Sequence, residues 1–124
     1  MPSVIIVSGP NQGDFYPLGN RTNVIGRNET LPIQILDPKA SRKHLQIRYE
    51  KDEDAYYILD MNSKHGTLVN GIKISEQKLL DNDYVTIGNT NLMFTEKDFK
   101  DRESALSHYK KVGERNKPTI TKIE

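Results

Sequence analysis

The sequence predicts an all-β sandwich, and three observations lead there. Apolar residues come in short runs of strand length, many of them β-branched or alternating with polar residues. Turn residues interrupt these runs about every 8–12 positions, the spacing of sandwich strands. Hydrophobic residues make up 35% of the 124-residue chain, enough for one compact core and not two.

Val4-Ile5-Ile6-Val7 is a β-branched run that stops at Ser8-Gly9-Pro10, so it reads as a buried strand and a turn. Phe15-Tyr16-Pro17-Leu18 returns, with Pro17 marking an edge or irregular strand. Asn23-Val24-Ile25-Gly26 is a third strand, closed by a glycine that is either a strand end or a place where a ligand comes close. Ile33-Gln34-Ile35-Leu36 alternates before Asp37-Pro38, and Leu45 to Glu50 alternates cleanly. Lys51-Asp52-Glu53-Asp54 is a charged hairpin tip, and Ala55 to Asp60 is the partner strand. Thr67-Leu68-Val69 and Ile72-Lys73-Ile74 flank Asn70-Gly71, a strong type I′ hairpin signal. Gln77 to Leu80 leads into the turn Asp81-Asn82-Asp83, and Tyr84 to Ile87 and Thr90 to Phe94 form the last hairpin.

The pattern changes at Thr95. Thr95-Glu96-Lys97-Asp98 fits a capping box. Phe99, Ala105, Leu106, Tyr109 and Val112 then fall near one helical face, and Gly113 is a plausible stop. The expected organisation is a sandwich over 1–95, an amphipathic helix over 96–113, and a flexible tail or linker to a further domain over 114–124.

Composition excludes several classes. With no cysteine there is neither a disulfide nor a thiolate metal site, which suits a cytoplasmic protein. No apolar run reaches membrane-spanning length, and the N-terminus lacks a signal peptide's basic and apolar regions. A net charge of +1 provides no global field toward nucleic acid or anionic lipid. No cofactor fingerprint is present, because there is no Walker loop and Gly26-Arg27 is not a dinucleotide motif. His44, His65 and His108 lack metal-ligand spacing.

Two chemistries compete for the polar loops. Ser41, His44 and Asp60 are the residue types of a hydrolase triad, but no G-x-S-x-G is present and cations fill the space between Ser41 and His44. A bracing role for His44 fits better. The other chemistry is anion binding. Arg27, Ser41, Arg42, Lys43 and Lys64 are the donors a phosphate needs if their loops meet. Spacing by itself leaves this reading level with ordinary solvated loops.

Taken together, several short motifs resemble the forkhead-associated (FHA) domain family. They are Gly26-Arg27, Ser41-Arg42-Lys43-His44, Leu59-Asp60 with Asn62-Ser63 and Gly66-Thr67, Val69-Asn70-Gly71, and Asp83 with Ile87-Gly88, spread over about Val4 to Phe94. The resemblance implies an eleven-stranded sandwich that binds phosphothreonine peptides through loops at one end and is not an enzyme. It implies phosphate contacts from Arg27 and Ser41, a further donor at Arg42, and Lys64 lining the phosphothreonine pocket. His44 would brace its loop, with Gly26, Gly66 and Asn70 as framework. The family usually has asparagine before the glycine, where it holds the peptide backbone; here that residue is His65. The implied partner is a protein phosphorylated on threonine by an upstream serine/threonine kinase. The competing expectations are a phosphate-independent interaction or dimerisation module, and a tail phosphorylated at Thr119 or Thr121 that occupies the pocket.

Overall fold

The structure, a computed structural model, describes residues 2–96 and, beyond them, residue 107. The eleven strands are β1 (Ser3–Ser8), β2 (Phe15–Pro17), β3 (Asn23–Gly26), β4 (Ile33–Gln34), β5 (Leu45–Glu50), β6 (Ala55–Asp60), β7 (Thr67–Val69), β8 (Ile72–Ile74), β9 (Glu76–Lys78), β10 (Tyr84–Ile87) and β11 (Thr90–Thr95). They form a six-stranded sheet ordered β2-β1-β11-β10-β7-β8 and a five-stranded sheet ordered β4-β3-β5-β6-β9. The helix and tail expected over 96–113 and 114–124 lie outside the described residues, apart from Glu96 and Ser107.

Alternation builds the core between the sheets. Val4, Ile6, Val85, Ile87, Leu92 and Phe94 come from one sheet, and Ile25, Leu45, Ile47, Tyr56 and Ile58 from the other, all in one buried cluster. Side chains of a strand point to opposite faces in turn, so a clean apolar/polar alternation buries one face and leaves the other to water. Gln46, Arg48 and Tyr57 lie between the buried residues of β5 and β6 and are only half-buried. Tyr56 resolves its polar end by donating from its hydroxyl to the Gly19 carbonyl at 2.6 Å.

Two strands differ from expectation. The run Ile33 to Leu36 is a strand only over Ile33–Gln34, which pairs in parallel with the end of β3. Beyond Gln34 the Leu36 N–H turns away to the Asn11 carboxamide, and the Leu36 side chain is exposed. β9 carries no strand pattern in its sequence. It is the polar edge Glu76-Gln77-Lys78, held to β6 by register and not by an apolar face.

Pro17 sits on β2, an edge strand where a missing N–H costs no ladder bond. Asn70 and Gly71 both have positive φ, at 51° and 84°, as a type I′ turn requires. Asn70 also ties this hairpin to the loop before β10. Its amide donates to Asp83 Oδ1 at 3.0 Å and its carbonyl accepts the Tyr84 N–H at 3.0 Å. Asn70→Ala forfeits both bonds and places an alanine in the left-handed region. A loss of about 2–3 kcal/mol is expected, read as a lower urea midpoint with an unchanged slope.

Candidate functional site

β5 and β6 pair along their whole length, from Leu45 opposite Asp60 to Glu50 opposite Ala55. The loop before β5 and the loop after β6 therefore emerge at the same end of the sheet. β3 lies on the other side of β5, with Ile25 opposite Leu45, so Gly26 and Arg27 emerge there too. Three segments separated in sequence are brought together by sheet register alone.

Gly26 is where two of them touch. A Cβ on this residue would lie 2.2 Å from the Arg42 carbonyl oxygen and 2.9 Å from that of Ser41. The absent side chain makes room for the protein's own backbone, not for a ligand. In the space so gained, the Arg27 N–H donates to the Ser41 carbonyl at 3.0 Å and the Asn28 N–H to that of Arg42 at 3.2 Å. Arg27 Nε donates to the Ala40 carbonyl at 3.0 Å, which fixes the guanidinium beside the Ser41 loop.

His44 is fully buried and joins the loops. Its Nδ1 accepts the Ser41 N–H at 3.0 Å, so the ring proton belongs on Nε2, which lies 2.8 Å from the Gly66 carbonyl and donates to it. The Met61 N–H returns to the His44 carbonyl at 2.9 Å. From the other loop the Lys64 N–H donates to Ser41 Oγ at 3.0 Å. That hydroxyl acts here as acceptor, so its own proton is left for an outside oxygen.

Asp60 organises the second loop. Its carboxylate accepts from the Ser63 N–H at 3.1 Å, the Ser63 hydroxyl at 2.5 Å and the Thr67 hydroxyl at 2.7 Å. Burial by itself would raise this carboxyl. The bonds from Ser63 and Thr67, with the His44 ring nearby, outweigh burial and hold it below the ordinary carboxylate value. The loop also needs two left-handed residues, Asn62 with φ 56° and Gly66 with φ 83°. The hydrolase arrangement is not assembled. His44 bonds only backbone groups, and Asp60 orients hydroxyls and an amide.

Of the residues singled out from sequence, Arg27, Ser41, Arg42, Lys64, His65, Gly26, His44 and Gly66 meet at this end. Asn70 does not; it braces the Asp83 junction at the opposite strand ends. Arg27, Arg42, Lys43, Lys64 and His65 are exposed. Among the described residues the ion pairs are Arg48–Glu50 and Lys78–Glu53, and neither involves this cationic group. Arg27 and Arg42 border a polar recess of about 340 Å³ with Asn28, Glu29 and Gln34. His65 borders another of about 200 Å³ with Lys39, Gly66, Leu68, Thr86 and Gly88.

One brace had no local signal. Asp37 is buried, and its carboxylate accepts from the Lys39 N–H at 2.9 Å, the Asn89 N–H at 2.7 Å and the Thr90 hydroxyl at 2.8 Å. Burial would raise it, but those donors and the Lys39 charge hold it low. In sequence Asp37-Pro38 reads as a turn. Its partners on the β10–β11 hairpin are more than 50 residues away.

Comparison with known proteins gives a consistent result. The family model of the FHA domain matches residues 23–88. FhaA of Mycobacterium tuberculosis is 32% identical over 91 residues, 73% of this chain and 17% of that protein. The glycogen accumulation regulator GarA of Mycolicibacterium smegmatis is 32% identical over 91 residues, 73% of this chain and 56% of GarA. The chain thus spans a minor part of FhaA and about half the length of GarA. Among solved structures, the FhaA FHA domain complexed with the intracellular domain of Rv3910 superposes with a TM-score of 0.68 at 28% identity, covering 76% of this chain and 99% of that one. A structure from a study of phosphothreonine-dependent FHA domain interactions gives 0.71 at 28% identity, covering 79% and 98%.

Two outcomes are expected from these braces. His44→Ala strands the Ser41 N–H and the buried Gly66 carbonyl and opens a cavity, for a loss of about 3 kcal/mol by chemical denaturation. A carboxyl held low in the folded state contributes stability that is present above the unfolded value, near pH 4, and lost as pH falls through the lower folded value. Thermal melting from pH 6 down to pH 2 is therefore expected to show a steep acid decline, and Asp60→Asn is expected to flatten it.

Proposed function

The chain belongs to the FHA domain family, and from that premise we propose that it is a binding module for phosphothreonine in a partner protein. The observation that carries this reading is the convergence of hydrogen-bond donors and cations on one spot. Arg27 is clamped by Ala40, the Ser41 hydroxyl is polarised by the Lys64 N–H, and Arg42 and Lys64 stand beside them. A phosphate dianion accepts charge-assisted bonds from such donors. The loops are already tied by His44 and Asp60, so little ordering is left for the moment of binding.

Each residue then has a role. Arg27 and Ser41 hold the phosphate, and Arg42 adds a donor from the rim. Lys64 lines the pocket around the phosphothreonine. His65 takes the place of the family's asparagine and meets the peptide backbone through its ring nitrogens, at the edge of the recess it shares with Lys39 and Gly88. The names of relatives support the reading without supplying the partner: a phosphothreonine-dependent interaction was studied in one structural neighbour, and an intracellular domain is bound in another. A protein substrate of a serine/threonine kinase, met in the cytoplasm, is the partner this chemistry fits.

Calorimetric titration with phosphothreonine, phosphoserine and unphosphorylated peptide libraries tests the proposal. Binding confined to phosphothreonine peptides, with a Kd in the micromolar range of about −8 kcal/mol, is the expected result. Arg27→Ala is expected to weaken it by about 2–3 kcal/mol, roughly 30- to 150-fold, with the domain still folded. Equal binding of all three libraries would instead identify a phosphate-independent module.

A further inference from the structure

The guanidinium of Arg27 is placed by a chain of bonds that begins in the other sheet. The Arg27 backbone follows β3 and is set by its N–H bond to the Ser41 carbonyl. Among the described residues, the group that holds its side chain is the Ala40 carbonyl, 3.0 Å from Nε. A guanidinium is a rigid planar fork, so fixing Nε also fixes the directions of both Nη groups. The position of one carbonyl oxygen therefore decides where Arg27 aims.

Ala40 ends a turn that begins at Asp37. Its N–H donates to the Asp37 carbonyl at 2.9 Å, and the Lys39 N–H donates to Asp37 Oδ1 at 2.9 Å. The second carboxylate oxygen serves the six-stranded sheet. Oδ2 accepts the Asn89 N–H at 2.7 Å and the Thr90 hydroxyl at 2.8 Å. One side chain thus joins the turn, through Oδ1, to the β10–β11 hairpin, through Oδ2. The approach is close. A Cβ on Gly88 would lie 2.7 Å from Lys39 Cβ and 3.1 Å from Asp37 Oδ2. Gly26 gives the same close approach from the five-stranded sheet, against the carbonyls of Ser41 and Arg42. The stretch 37–42 is therefore gripped from both sheets.

We propose that Asp37 is a positioning residue for the phosphate site: from the β10–β11 hairpin it sets the Ala40 carbonyl, and through that carbonyl the aim of Arg27. The proposal rests on the reading of Arg27 as a phosphate donor. Among the described residues, the bonds of Asp37 go to Lys39, Ala40, Asn89 and Thr90 and to none of the candidate donors, so it acts through Ala40. The role asks for a carboxylate. An amide has one acceptor oxygen and would turn an NH₂ group toward one of the two donor sets. An arginine aimed before the ligand arrives has less side-chain freedom to lose on binding.

The test uses the full chain and two substitutions away from the cationic residues. Thr90→Val removes one donor to Oδ2 and keeps the volume, and Asp37→Asn removes one acceptor. In the ligand-free protein, each is expected to speed hydrogen exchange at Arg27 Nε about tenfold, read by NMR. Thr90→Ser, which keeps a hydroxyl, is expected to restore slow exchange. In titrations with a phosphothreonine peptide, Thr90→Val and Asp37→Asn are each expected to weaken binding about five- to tenfold. In an Arg27→Ala background the same substitutions are expected to change it less than about twofold. A role in stability alone would weaken binding equally in both backgrounds. Equal weakening, or unchanged Arg27 exchange in both variants, would overturn the proposal. Failure of the unmodified protein to bind any phosphothreonine peptide would instead overturn the phosphothreonine reading, and the exchange rates would still decide whether Asp37 places Arg27.

Discussion

The buried imidazole of His44 holds the two working loops in one arrangement. Its Nδ1 accepts from the Ser41 backbone and its Nε2 donates to the Gly66 carbonyl, so both nitrogens are satisfied by backbone groups 3 and 22 residues away in sequence. A buried polar side chain is stable only when fully bonded, so the ring admits few alternatives once the loops close on it. Everything exposed at this end hangs from that bridge. Ser41 is placed to accept the Lys64 N–H, and Arg27 is placed against the Ala40 carbonyl one residue before Ser41.

Three aspartates repeat this strategy with carboxylates. Asp37 ties the chain after β4 to the β10–β11 turn, Asp60 closes the loop after β6, and Asp83 joins the Asn70 hairpin to the Leu80 turn. Each takes donors from backbone and side chains of loops and not from a cation. The negative charges that make the framework are thereby set inside it, while the positive charges of Arg27, Arg42, Lys43 and Lys64 remain outside. A chain with a net charge of +1 thereby presents a local concentration of positive charge.

Rigid loops also serve the energetics of recognition. Ordering a flexible loop and its long side chains on binding subtracts from affinity. Here left-handed Asn62 and Gly66, the Asp60 bonds and the Gly26 contact impose the loop shape during folding, and the packed sandwich bears that cost. The exposed cations then have to order little more than their own side chains.

The succession of strands along the chain, the Asn70-Gly71 turn and most strand limits were legible in the sequence, because alternation and turn chemistry act between near neighbours. The candidate site residues were legible only as residue types: Arg27, Ser41, Arg42 and Lys64 are donors wherever they sit. Local pattern could not show that they meet, since only the pairing of β3, β5 and β6 brings their loops to one end. The same limit hid β9, whose polar residues form a strand through their partner on β6, and Asp37, whose donors arrive from the β10–β11 hairpin. It also left open the benefit of Gly26, which makes room for the backbone of Ser41 and Arg42. Sequence determined the elements and the chemistry available, because those depend on each residue and its neighbours. Tertiary structure decided which groups became braces and which stayed exposed, because burial and bonding partners are set by segments distant in the chain.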